Sequence, residues 1–162
     1  MTFEATKSYS RDQRQHGFTL IETLVAMVVL AVGMLGIAAL YIEGLRSGQA
    51  SVSRTTAVAL AADMADRIRA NPTVPASYAG AGPGANNGCV NGPAACTPAQ
   101  MAQEDWFWWL QDVQNRLPQG AAAVIAVNNN PAVAPATQYD ITLTWPETGQ
   151  AAAASYNLRF SL

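Results

Sequence analysis

Residues 24–42 are nineteen consecutive positions without a charge, inside the run FTLIETLVAMVVLAVGMLGIAALYI that opens at Phe18. At 1.5 Å of rise per residue they make a helix of about 28 Å, close to the hydrocarbon thickness of a bilayer. The stretch is predicted to cross a membrane as a helix, because lipid offers no partner to unpaired backbone groups. Ahead of it, residues 1–17 are polar and carry Lys7, Arg11 and Arg14; beyond it the nearest basic residues are Arg46 and Arg54. That balance predicts an N-terminus in the cytoplasm and everything after the span on the far side.

An ordinary secretory signal has a short apolar stretch followed by a small-residue cleavage site. Here the small residue, Gly17, precedes the apolar run. Cutting after Gly17 removes a charged leader, residues 1–17, keeps the whole anchor, and makes Phe18 the new N-terminus. The odd residue is Glu22, since a carboxylate inside a span costs about 2.5–3.5 kcal/mol on insertion scales. One reading hydrates it at the membrane edge. The other uses the cut: cleavage creates an ammonium at Phe18, one helical turn from Glu22. In a staggered array of parallel helices, that ammonium meets the carboxylate of a neighbouring subunit. A slip in register leaves both charges uncompensated, so the pair selects one register.

Gly17-Phe18-Thr19-Leu20-Ile21-Glu22, opening a long apolar helix, resembles the type III signal of type IV pilins and pseudopilins. The resemblance implies cleavage after Gly17 by a membrane aspartyl prepilin peptidase and N-methylation of Phe18. It also implies the helix-to-helix role of Glu22.

Composition bounds what the rest can do. The chain has 162 residues, 9 Lys plus Arg against 11 Asp plus Glu, and a net charge of −2. No basic footprint for phosphate backbones results, so nucleic acid is not an expected partner. With 12% charged residues and 50% apolar ones, the chain does not read as disordered. A single histidine, His16, and two cysteines leave no set for a three-His or four-Cys metal site, or for a triad using a histidine of the folded part. No catalytic residue, metal or cofactor is assigned.

Helical periodicity continues past the span. Leu45, Val52, Ala57, Leu60, Ala61, Met64, Ala65 and Ile68 follow a three-to-four spacing, with Asp63, Asp66, Arg67 and Arg69 largely off that stripe. Asp63 and Arg67 are spaced to pair at i, i+4. Pro72 ends the helix near Ala70. The predicted organisation is a membrane half over residues 18–42, an amphipathic half over 43–71, and a head over 72–162. Gly33, Gly36, Gly44 and Gly48 each cost about 1 kcal/mol of helix propensity relative to Ala. Close helix packing and local loosening of the helix both account for them. The segment Leu60-Ala61-Ala62-Asp63-Met64-Ala65-Asp66-Arg67-Ile68-Arg69-Ala70-Asn71-Pro72 is similar to the end of the long helix in the PilV family of minor pilins, the type IV pilus modification proteins. Asp63 and Asp66, beside two arginines, read as a solvated helix face rather than an acid/base pair.

Residues 72–99 contain five Pro and five Gly in 28 positions and no periodic apolar pattern, which predicts an irregular surface loop. Cys89 and Cys96 lie within it and, on the non-cytoplasmic side, read as a local structural disulfide. The PilV resemblance implies the same, since such members commonly carry a head disulfide. A helix over residues 98–117 then starts at a Thr97 cap with Gln100 three positions on, and stops at Pro118 and Gly120. Ala102, Trp106, Trp109, Leu110, Val113 and Leu117 share one face. Phe107 and Trp108 lie off it and are a candidate interaction surface, unless a wide groove between stalk and sheet buries them too. Residues 139–145 and 156–162 alternate as half-buried antiparallel strands, and 121–127 is a weaker third, giving strands over about 121–162. The predicted class is α+β: a long N-terminal helix on a small antiparallel sheet, with a short extra helix in the head. The pilin resemblance implies the same fold.

These readings add up to an inner-membrane, single-pass, non-enzymatic minor pilin with its head in the periplasm. PilV-like members are associated with starting pilus assembly, at the filament tip. The implied partners are other minor and major pilins, the prepilin peptidase, the pilus assembly platform and the membrane itself. Two alternatives stand: a pseudopilin of a type II secretion system, and a membrane-anchored periplasmic enzyme or binding protein.

Overall fold

A computed structural model describes residues 17–90, 92, 95–129 and 136–162. The leader's residues 1–16, with Lys7, Arg11, Arg14 and His16, lie outside the described residues. The elements are a helix α1, Leu20–Ala70, a short 3-10 turn, Pro75–Tyr78, a second helix α2, Pro98–Arg116, and strands β1, Ala122–Asn128, β2, Gln138–Trp145, and β3, Ala154–Ser161. The chain divides into two compact units, Met1–Glu43 and Gly44–Leu162.

In the first unit the described residues form the apolar start of α1. Phe18, Leu20 and the aliphatic side chains that follow are exposed in the isolated chain. That part of α1 is long and apolar enough to cross a membrane.

The second unit is the head, with a three-stranded antiparallel sheet in the order β1-β2-β3. Register aligns Ile125 with Ile141 and Ile141 with Leu158. Alternation fixes the buried face: Tyr139, Ile141, Leu143 and Trp145 of β2 are buried, as are Ala123 and Ile125 of β1. These side chains share one core with Leu60, Met64 and Ile68 of α1 and with Trp106, Trp109 and Val113 of α2. Burying each large aliphatic or aromatic group contributes about 1.5–3 kcal/mol. The two core tryptophans also satisfy their polar edges: Trp109 Nε1 donates to Leu60 O at 2.8 Å, and Trp106 Nε1 to Tyr78 O at 2.9 Å.

Three expectations need correction. Leu45 and Val52 belong to the predicted apolar stripe yet are 55% and 66% exposed, so the core takes up α1 only from Ala57. The segment expected to be wholly irregular holds the 3-10 turn and a fully buried Tyr78, and Gly80 bridges Ile125 of β1 by two backbone hydrogen bonds of 2.8 and 2.7 Å. The groove that would cover Trp108 is not there. Trp108 is 41% exposed, because α2 turns Trp106 and Trp109 inward and positions one residue off that face cannot follow.

Candidate functional site

Two regions carry the residues singled out by sequence. At the N-terminal end, Gly17, Phe18 and Thr19 precede the helix in non-helical backbone, and α1 begins at Leu20. The Gly17–Phe18 peptide bond therefore lies outside the helical hydrogen-bond ladder. Phe18 is 82% exposed. Thr19 caps the helix: its carbonyl accepts the N–H of Glu22 at 3.1 Å and of Thr23 at 3.3 Å, and its Oγ1 lies 3.4 Å from the Glu22 N. Glu22 thus occupies the first turn, where a carboxylate is favoured by the helix dipole. The sequence signal for this cap, Thr-x-x-Glu, is a capping-box pattern overlooked beside the more conspicuous charge in the span.

The second region is the outer side of α2 with the loop beneath it. Thr97 caps α2 with a complete capping box: Oγ1 accepts from the Gln100 N, and the Gln100 side chain accepts from the Thr97 N at 2.9 Å. Cys89 and Cys96 are joined as a disulfide. Next to it Glu104, a charged residue only 4% exposed, accepts backbone N–H groups of Cys89 at 2.7 Å, Asn87 at 3.0 Å and Val90 at 3.3 Å. The nearby Trp108 indole also favours its ionised form. Hydrogen bonds to the ionised form, that from Cys89 foremost, hold the Glu104 carboxyl below the usual range, against an opposing effect of desolvation. Phe107 is half-buried and meets Trp108 edge to face at 5.1 Å. Candidate interface and disulfide loop are thereby brought together through a carboxylate that sequence reasoning did not select.

Opposite this loop, Arg67 of α1 binds Asp63 at 3.0 Å and Asp105 of α2 at 3.4 Å. Tyr78 donates to Asp105 at 2.8 Å, and Asn71 Nδ2 to the Pro98 carbonyl at 2.7 Å. Burial, then the Asp105 hydrogen bond, raise the Tyr78 pKa well above that of a free phenol, so this network stays protonated at Tyr78 at any ordinary pH. It ties α1, the 3-10 turn and α2 together. Among the described residues, no three of His, Cys, Asp and Glu gather to hold a metal ion.

Sequence comparison fits this layout. The family model of the prokaryotic N-terminal methylation motif matches residues 12–38, covering Gly17, Phe18 and Glu22. The family model of the type IV pilin Tt1218 matches residues 39–107, from the end of the span to the middle of α2. No curated protein and no solved structure matches the chain. The two family matches adjoin without a gap: the chain is similar to the methylation motif over residues 12–38 and to a type IV pilin over residues 39–107, and its α+β fold is pilin-like.

Proposed function

We propose that the chain is a minor pilin of PilV type, an assembly subunit rather than an enzyme, which helps start a type IV pilus by associating with other pilins. The carrying observation is Gly17-Phe18-Thr19-Leu20-Ile21-Glu22, a matched methylation motif set immediately ahead of and into a 51-residue helix. Prepilin peptidase cuts after Gly17 and Phe18 is methylated. The span holds the subunit in the inner membrane with the head in the periplasm until assembly. In the assembly the Phe18 ammonium of one subunit pairs with Glu22 of the next. That pairing forms in a low-dielectric setting, where a slipped register strands two charges.

The head supplies contacts to sister pilins. Exposed Trp108, with Phe107 beside it and Val90 on the disulfide loop, is the surface proposed for them. The pilin family is structural, and the head supports that class: the conspicuous carboxylate, Glu104, is already engaged by three backbone donors of the loop.

Mass spectrometry of the N-terminus of protein from the native membrane tests the processing step. N-methylphenylalanine at Phe18 is expected, and an intact Met1 overturns the pilin-type assignment. Pull-down with minor and major pilins tests the rest, and capture by secretion-system pseudopilins instead reassigns the chain to that machinery.

A further inference from the structure

Cys89 and Cys96 are both held against α2, by different means. Cys96 is the residue before Thr97, whose capping box fixes the entry of the chain into the helix. Cys89 belongs to an arm, residues 85–90, that lies along the same helix without being continuous with it. Ala85 N donates to Gln103 O at 3.0 Å, and Asn87 Nδ2 to Gln100 O at 3.0 Å. The end of the arm is gripped by one side chain. Glu104 Oε2 accepts the N–H groups of Asn87 and Cys89, at 3.0 and 2.7 Å, and Oε1 that of Val90 at 3.3 Å. Hydrogen bonds to an ionised acceptor are stronger than neutral ones, so this grip needs no covalent bond. Glu104 stands seven residues after Thr97, and two turns of helix bring it back to the same side of α2. The Cα atoms of the two cysteines are 5.6 Å apart, within the span that a disulfide bridges.

We infer that Glu104 is a positioning residue for the oxidation of Cys89 and Cys96: the arm docks on its carboxylate first, and the disulfide closes between thiols already side by side. Bringing two thiols of one chain together costs conformational entropy, and the three bonds to Glu104 meet that cost before the sulfurs react. The oxidation itself is ordinary exchange. One cysteine thiolate attacks an external disulfide such as oxidised glutathione, displacing one glutathione thiolate and leaving a mixed disulfide. The second cysteine thiolate attacks the protein sulfur of that mixed disulfide, and the other glutathione thiolate leaves. The sum converts two protein thiols and one glutathione disulfide into one protein disulfide and two glutathione thiols. Glu104 takes no part in either bond change. It raises the effective concentration of the second thiolate at the first sulfur. The coupling is reciprocal, so the closed disulfide in turn holds the arm on Glu104.

The effective concentration of the thiol pair is the quantity to measure. The full chain in detergent is reduced, equilibrated over a series of glutathione ratios, quenched with an alkylating reagent and read by mass. Glu104→Gln keeps the shape of the side chain but loses the charge and turns an amide NH2 toward an N–H donor. Effective concentration should then fall at least about tenfold, the worth of a hydrogen bond to a charged group. The same change raises the reduction potential of the disulfide by about 30 mV. Asp112→Asn, which removes an equal charge two turns further along α2, should leave both values unchanged. In denaturing urea the three chains should agree. An unchanged effective concentration in Glu104→Gln, an equal fall in Asp112→Asn, or a difference that persists in urea overturns the proposal. A second measurement keeps Glu104 in place and so does not depend on the folding of its variant. In Cys89→Ser/Cys96→Ser, the amide hydrogens of Asn87 and residue 89 should stay protected from exchange, because docking precedes closure. Loss of that protection in a head still folded by near-ultraviolet circular dichroism overturns the proposal: the disulfide would then order the arm, and Glu104 would follow.

Discussion

Glu22 stands three positions after Thr19, where it fits a capping box, and four after Phe18, where it can answer the ammonium of a processed neighbour. Glu22→Ala removes both functions and so does not tell them apart. Glu22→Gln does, because glutamine serves at the third position of a capping box but carries no charge. If charge pairing sets register, Glu22→Gln is cleaved normally and stays helical, yet co-purifies with sister pilins at least about tenfold less, as Glu22→Ala does. Normal co-purification of Glu22→Gln reduces Glu22 to a cap. Glu104 makes a prediction of opposite kind, about acid. Its carboxyl titrates lower in the folded head than in an open chain, so its contribution is fully present above the ordinary glutamate pKa of about 4.3. It is lost as pH falls through the lowered folded value. Amide exchange at Asn87, Cys89 and Val90, corrected for its intrinsic pH dependence, should accelerate on acidification through that window. In Glu104→Gln it should be fast and flat with pH. The residues of the proposed processing end stand out in sequence because each is odd where it stands: a small residue before the span, a charge inside it. Glu104 does not, since a Glu-Asp pair on an amphipathic helix reads as solvated surface. Its need for burial comes from loop amides fifteen or so residues away in sequence.

The strands were the easiest elements to read, because strict alternation in β2 and β3 leaves one assignment of faces. The end of α1 and the capping box of α2 were equally plain, each marked by local chemistry at Pro72 and Thr97. The loop between the helices was not, because its order comes from what it lies against rather than from any period of its own. Tyr78 is buried by α2, and Gly80 pairs with a strand that begins more than forty residues later. Gly84 crosses α2 so closely that Ala85 N donates to Gln103 O at 3.0 Å. A Cβ at Gly84 would collide with the backbone of Gln103 and Phe107, and its φ of +72° is one that other residues resist. Gly84→Ala is therefore expected to destabilise the head by about 1–3 kcal/mol or more, through strain and the displaced loop together. Thermal unfolding followed by near-ultraviolet circular dichroism checks it, with Gly88→Ala as the comparison. Gly88 also has a positive φ, +71°, but an open Cβ position, and should cost less.

Across the whole molecule, one helix belongs to two environments, and the boundary relevant to folding is not the boundary of the apolar run. The uncharged stretch ends at Ile42, the second compact unit starts at Gly44, and the first buried residue of α1 is Ala57. Sequence periodicity ran the amphipathic stripe back to Leu45 because it sees apolar spacing and not what stands opposite. Residues 44–56 of α1 thus contribute little to the core of the head, whereas Leu60 supplies both a buried side chain and the carbonyl that Trp109 requires. Two truncations separate these segments. A chain starting at Gly44 is expected to fold into a soluble head with cooperative unfolding, since every core residue of that unit is retained. A chain starting at Ala62 loses Ala57, Leu60 and Ala61 and leaves the Trp109 indole without its acceptor. Removing Leu60 alone is worth about 2–5 kcal/mol on the scale of large-to-small core changes, a large part of what holds a domain of this size. The shorter chain should therefore show no cooperative transition. Folding of both would mean that the sheet and α2 carry the head by themselves. The long helix would then be an anchor laid against a finished domain rather than part of its core.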